Sequence, residues 1–153
     1  PQVLLFRNAL LPRNATYASV FRYVREISLA APEYVVISGT SEAAILARDP
    51  DSLANMTTLT ANASTAEDSW FAVQTNYDRN VKDPPTDARR TAAEIILRQY
   101  GQDVASTPIG IFAALSSYPV HNSGTAYSAV MHVSTGLFTA FQRVSMVPSE
   151  LCH

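Results

Sequence analysis

The sequence predicts an α+β fold with antiparallel strands, and three local patterns carry that prediction. Residues 34–38 are mostly β-branched and apolar, and Gly39 turns them toward a second apolar run at 43–47. Residues 125–133 and 137–144 alternate apolar and polar side chains on either side of Ser134, Thr135 and Gly136, the pattern of a β-hairpin. Between the hairpins lie two stretches of helical periodicity. Strands therefore pair locally and helices are grouped, which is the signature of an α+β layered domain.

After a short apolar opening, Asn14 or Thr16 can cap a helix in which Tyr17, Val20, Phe21, Val24 and Ile27 recur at helical spacing until Pro32 stops it. The hairpin at 34–47 follows, and Asp49, Pro50 and Asp51 end it by turn chemistry. Residues 53–59 suit an edge strand, 61–68 are polar, and 70–74 read as a returning strand. The polar segment 76–85, closed by Pro84 and Pro85, cannot pair regularly and forms a loop. Asp87 stands at the expected N-cap of a helix whose Ala92, Ile95, Ile96 and Gln99 share a face up to Gly101. Thr107 and Pro108 open a second helix through Ile111, Phe112 and Leu115, because proline suits the first helical position. In the last hairpin Tyr127, Ala129, Met131 and Val133 fall on one face. No repeat or linker interrupts residues 1–153, so a single domain is expected.

A chain of 153 residues with 47% hydrophobic content has the means to bury a core. Its net charge of -2 and lack of a basic run exclude a nucleic-acid partner. No segment reaches the roughly 20 apolar residues that span a bilayer. The absence of an initiating Met suggests an amino terminus that is processed or lies outside this sequence.

Asn14, Asn55 and Asn62 each head an N-x-[ST] triplet and are candidate glycosylation sites on a secretory route. The one cysteine, Cys152, excludes an internal disulfide and any CxxC site, and invites an interchain disulfide or a bond to a distant part of a precursor; a reduced terminal thiol is the alternative. His121, His132 and His153 lack metal-ligand spacing, and no metal or cofactor is expected. Ser38, Gly39, Thr40 and Ser41 do not make a nucleophile elbow, and no phosphate loop is present. Pro1 reads as a boundary rather than a catalytic secondary amine.

The chemistry-bearing segment is 70–79, Trp-Phe-Ala-Val-Gln-Thr-Asn-Tyr-Asp-Arg, with Asp-Ala-Arg-Arg-Thr following at 87–91. Asn76 ends an apolar run whose backbone can fix it, and its neutral amide donates without a protonation change. Alternatively, it merely bonds its own turn. Arg89 places a cation in the first turn of a helix, against the helix dipole, which calls for another reason; Asp78 or Asp87 can supply one.

These two linked motifs resemble the acid ceramidase family of N-terminal-nucleophile cysteine hydrolases, which includes the amidase acting on N-acylethanolamines. The resemblance runs more weakly from Ala31 through the late strand pair, and marks the chain as the carboxyl-terminal portion of an amidase-like β subunit. It implies an αββα sandwich with antiparallel sheets, an oxyanion role for Asn76 and a catalytic role for Arg89. It further implies a lysosomal or extracellular enzyme that cleaves the N-acyl bond of ceramide or a related lipid amide, with peripheral membrane contact. The family's nucleophile is a cysteine exposed at a new amino terminus by self-cleavage, which this chain lacks. A nucleophile-bearing segment or α subunit of the same precursor is thus the expected partner. Ala88 replaces an acidic residue of the family pattern and Asn80 a tryptophan. These departures motivate the alternative of a non-catalytic glycoprotein module in a larger extracellular assembly.

Overall fold

The computed structural model describes residues 2–60 and 70–142. Asn62, Cys152, Pro1 and His153 lie outside the described residues, as does the end of the expected strand beyond 142. The chain divides into two compact units, Pro1–Lys82 and Asp83–His153. Both are built of helices and small antiparallel sheets, as the α+β prediction requires.

In the first unit, the apolar opening is a helix, α1 (Gln2–Leu10). Helix α2 (Tyr17–Glu26) starts at Thr16, whose Oγ1 accepts from the Ser19 N–H at 3.2 Å, while Ser19 Oγ accepts from the Thr16 N–H at 2.9 Å. This reciprocal capping box leaves Asn14 outside the helix, in a turn where the Ala15 N–H meets the Pro12 carbonyl. The helix ends at Glu26, well before Pro32, and Ile27 is already extended. Arg48, a buried residue at the end of the neighbouring sheet's central strand, holds this end. Its guanidinium donates to the carbonyls of Val24 and Ile27, with 2.7 Å to the latter, and its Nε donates to the Ser52 carbonyl at 3.0 Å. A cation on the last carbonyls both satisfies them and complements the helix dipole.

Strands β1 (Glu33–Ser38), β2 (Glu42–Arg48) and β3 (Leu53–Thr60) form an antiparallel meander in that order. The Gly39 N–H closes the first turn on the Glu42 carbonyl at 2.7 Å. Val35 pairs with Leu46, and Leu46 with Met56, while Tyr34, Ala47 and Asn55 line up on the opposite face. The central strand β2 carries the core: Ala44, Ile45 and Leu46 are buried together with Val24 and Leu29.

The expected strand at 70–74 is not one: Trp70 lies in a turn and 71–75 are irregular. Side chains take up one carbonyl of this run and two just beyond it. Arg79 donates to the Val73 carbonyl, and Gln74 Nε2 donates to the carbonyls of Thr75 at 2.8 Å and Tyr77 at 2.9 Å.

The second unit holds helices α3 (Arg89–Ala105) and α4 (Pro108–Ser116) and the hairpin β4 (Tyr127–His132) with β5 (Leu137–Gln142). Gly101 breaks α3 with φ 71°, a left-handed conformation that glycine enters without Cβ strain, and helical turns resume beyond it. Thr107 caps α4, accepting from the Gly110 N–H at 3.1 Å, with proline following as predicted. A Cβ on Gly110 would stand 2.1 Å from the Val104 carbonyl oxygen, so glycine lets the two helices approach there. Val130 and Phe141 face α4, where Phe141 packs on Phe112 with ring centroids 4.2 Å apart. Tyr127 and Met131 share a face as expected, and it is the exposed one.

Candidate active site

Asn76 occupies an exposed bend of the first unit that follows the irregular segment 71–75. Contacts on both sides pin the bend. Gln74 bridges the Thr75 and Tyr77 carbonyls from within, and Asp78 Oδ1 accepts from the Tyr34 hydroxyl of β1 at 2.7 Å. The Val81 N–H then closes a turn on the Asp78 carbonyl at 3.0 Å. A cleft of about 10 Å³, room for a single water, lies among Tyr34, Asn55, Gln74, Asp78 and Arg79. It is far too small for a lipid, so what this unit offers is a surface bend, held by neighbouring side chains, that carries Asn76. Position here comes from side-chain bonds rather than from the strand that the sequence suggested.

Arg89 opens α3 in the second unit, and its orientation has a clear cause. Nε meets Asp87 Oδ1 at 2.6 Å and Nη2 meets Asp87 Oδ2 at 2.7 Å, a two-pronged pair with planar complementarity. The hydrogen bond and charge of Arg89 hold the Asp87 carboxyl below the usual carboxylate range. The pair borders an open, polar cleft of about 450 Å³ with Thr86, Asn122, Gly124 and Thr125. Asn122 shapes its far wall: Oδ1 accepts from the Gly124 N–H at 2.9 Å, and Nδ2 donates to the Pro119 carbonyl at 3.1 Å.

The neighbouring Arg90 takes a structural part. It is buried at 8% exposure, with Nη2 3.0 Å from Asp83 Oδ1. Asp83 Oδ2 accepts from both the Thr91 N–H at 2.7 Å and the Thr91 hydroxyl at 2.9 Å. Asp83 therefore caps α3, correcting the expectation that Asp87 would; Ala88, the residue at the N-cap, makes no side-chain cap bond. This division leaves Asp87 for Arg89. Local sequence marks Asp83 only as a loop residue and gives no sign of the role of Arg48, because each acts across a loop or a sheet.

Asn76 lies in the first unit and Arg89 in the second, and each is placed by contacts within its own unit. Asn14 and Asn55 are both exposed. Among the described residues no group of three or more His, Cys, Asp or Glu is arranged to hold a metal ion. Among them, too, no helix is long and apolar enough to cross a membrane.

No family model matches the chain. It is 32% identical over 133 residues to an N-acylethanolamine-hydrolyzing acid amidase of Oryctolagus cuniculus, covering 86% of this chain and 36% of that protein. It is 28% identical over 136 residues to acid ceramidase of Homo sapiens, covering 88% and 33% respectively. An N-acylethanolamine-hydrolyzing acid amidase of Rattus norvegicus is 33% identical over 129 residues, covering 83% and 34%. The chain spans about a third of the length of the curated relatives it matches.

Proposed function

The chain is a homologue of the acid ceramidases and the N-acylethanolamine-hydrolyzing acid amidases, and on that footing we propose that it is the carboxyl-terminal part of a cysteine amidohydrolase acting on ceramide or a related lipid amide. The observation that carries the reading is the exposed carboxamide of Asn76, held in a bend by Gln74 and the Tyr34–Asp78 hydrogen bond. Attack of a thiolate on an amide carbonyl places negative charge on the carbonyl oxygen. A fixed N–H donor there is worth about 3 kcal/mol of barrier, because the donor is already oriented when the charge develops. Asn76 Nδ2 takes that role in our reading. Arg89 supplies a permanent positive charge, and Asp87 holds its plane.

The thiol comes from a nucleophile-bearing segment of the same precursor. Its collapse from the tetrahedral state expels the amine, which takes a proton, and leaves an acyl thioester. Water then hydrolyses that thioester to the fatty acid. The completed enzyme adopts an αββα sandwich and works at a lipid surface in a lysosomal or extracellular compartment. The full protein is assayed with long-chain N-acylsphingosine at acidic pH, with and without thiol alkylation. Fatty-acid release that alkylation abolishes supports the proposal, and no such release defeats it.

A second reading, a non-catalytic glycoprotein module, draws on Ala88 and Asn80, the two departures from the family pattern. A precursor without a cysteine at a self-cleavage junction favours it.

A further inference from the structure

The open polar cleft of the second unit has two walls of different chemistry. One is the Asp87–Arg89 pair at the start of α3, with Thr86 exposed beside it. The other is the turn at 122–125, which its own side chains stiffen. Asn122 engages its amide at both ends, on the Gly124 N–H and the Pro119 carbonyl, and the Thr125 N–H closes on the Asn122 carbonyl at 3.1 Å. Thr125 Oγ1 accepts from the Asn122 N–H at 3.1 Å, a bond that does not use the hydroxyl's own proton. A wall held this way keeps a hydroxyl in a fixed place.

Charge decides what such a cleft takes. Among the described residues its lining carries one carboxylate and one guanidinium, and these are bonded to each other through both carboxylate oxygens. Because Arg89 holds the Asp87 carboxyl below the usual carboxylate range, the pair keeps both charges into acid and they cancel. An anionic head group entering here loses water, meets no net positive charge and lies beside a carboxylate. An uncharged hydroxyl fares better. It donates and accepts at once, and threonine hydroxyls answer both functions. Ceramide and the simpler N-(2-hydroxyethyl) amides share one such group, a hydroxyl on the carbon after the one that bears the amide nitrogen. Arg89 belongs to the cleft as well as to the proposed amidase machinery, so a head group here lies next to the bond being broken.

We propose that this cleft binds the uncharged, hydroxyl-bearing head of the lipid amide, with Thr86 and Thr125 selecting it over an anionic head; this assignment rests on the amidase reading above. The catalytic groups break the bond, and the cleft chooses the amine.

The full protein is assayed with three amides of one long fatty acid that differ only beyond nitrogen: N-(2-hydroxyethyl), N-ethyl and N-carboxymethyl. Wild type is expected to favour hydroxyethyl over ethyl by about 10-fold in kcat/KM, as one hydrogen bond does, and over carboxymethyl by about 100-fold. Thr86→Val and Thr125→Val should each pull the first ratio toward one, whereas a merely structural loss lowers both rates together. Thr125→Ser keeps the hydroxyl and should retain the wild-type ratio. Thr86→Lys adds a cation and should raise the carboxymethyl amide about 10-fold relative to the hydroxyethyl amide. N-acylsphingosine and its 1-deoxy counterpart repeat the comparison on a sphingoid head, and a hydroxyl preference in one pair alone assigns the head group to that class. Wild-type ratios near one in both pairs overturn the proposal, as do ratios that neither valine substitution moves.

Binding separates this assignment from the amidase reading. Saturation-transfer NMR on the full protein, with water-soluble short-chain versions of the three amides, reports contact without turnover. If no amide is hydrolysed the amidase reading fails, yet stronger transfer to the hydroxyethyl amide that Thr125→Val weakens still supports the cleft. Equal transfer to all three, or none, overturns it.

Discussion

Asp87 and Arg89, two residues apart at the start of α3, grip each other through both carboxylate oxygens, at 2.6 and 2.7 Å. A two-residue spacing on a regular helix would point these side chains apart. They meet because Asp87 precedes the helix, freed from capping by Asp83, which bonds Thr91 instead. Replacing Asp87 with Asn keeps one acceptor and removes the charge. In the full enzyme, Asp87→Asn is expected to lower kcat by about 10- to 100-fold, the usual cost of loosening the support of a positioned group. KM should change little. Arg89→Lys should fall at least as far, since an ammonium cannot reproduce the planar fork. Steady-state kinetics on an N-acylsphingosine decide, and a wild-type kcat in Asp87→Asn would remove the positioning role.

The same pair sets a pH dependence. Arg89 lowers the folded-state pKa of Asp87, chiefly through the side-chain hydrogen bond. A depressed carboxyl contributes stability that is fully present above its unfolded value of about 3.9, and loses it as pH falls through the lower folded value. The stability difference between wild type and Asp87→Asn is therefore expected to stay constant from pH 7 to about pH 5 and to shrink only below about pH 4. Urea midpoints measured across that range test it. A difference that already decays between pH 7 and pH 5 would contradict the assignment of the pair.

Arg48 offers a stability prediction free of any catalytic assumption. Its guanidinium is 2% exposed and donates to three backbone carbonyls, those of Val24, Ile27 and Ser52. Arg48→Ala removes the donor to the buried Val24 carbonyl and to the Ile27 carbonyl, leaves the Ser52 carbonyl with only the Asp49 N–H, and opens a cavity beside β2. The expected loss is about 3 kcal/mol, and Arg48→Lys should recover only part of it because one ammonium cannot reach all three oxygens. Equilibrium unfolding of the full protein in urea measures both.

How far the fold was legible follows from the range of the signals involved. The meander β1 to β3, the Thr107–Pro108 helix start and the late hairpin depend on alternation and turn chemistry within about ten residues, so a linear reading finds them. The strand expected at 70–74 failed for a reason equally physical. Its residues favour extended backbone, but Arg79 bonds the Val73 carbonyl and Gln74 the carbonyls of Thr75 and Tyr77 just after it. Asp83 stayed hidden because it reaches its helix start across a loop with two prolines whose course no periodic pattern fixes, and Arg48 because its helix end lies more than twenty residues away. The importance of Asn76 and Arg89 came from family resemblance; periodicity alone ranks neither above an ordinary turn amide or a helix-start cation.

Asn76 allows the sharpest discrimination between enzyme and scaffold. Its side chain is exposed, and the bend that carries it is held by Gln74, Tyr34 and Asp78 rather than by the Asn76 side chain alone. Shortening it should leave the fold near wild-type stability while removing the proposed donor. Asn76→Ala is expected to lower kcat by about 100- to 1,000-fold, as loss of one oxyanion donor does, with the thermal midpoint nearly unchanged. Asn76→Asp keeps the size but exchanges the donor for a charge that repels the oxyanion, and should be at least as impaired at a pH where it is ionised. Lowering the pH toward the carboxyl's own pKa restores a donor, so the Asp variant should gain on the Ala variant in acid. Full activity in Asn76→Ala, measured as fatty-acid release from a long-chain lipid amide, would reduce this side chain to a surface turn residue and move the oxyanion donor elsewhere in the enzyme.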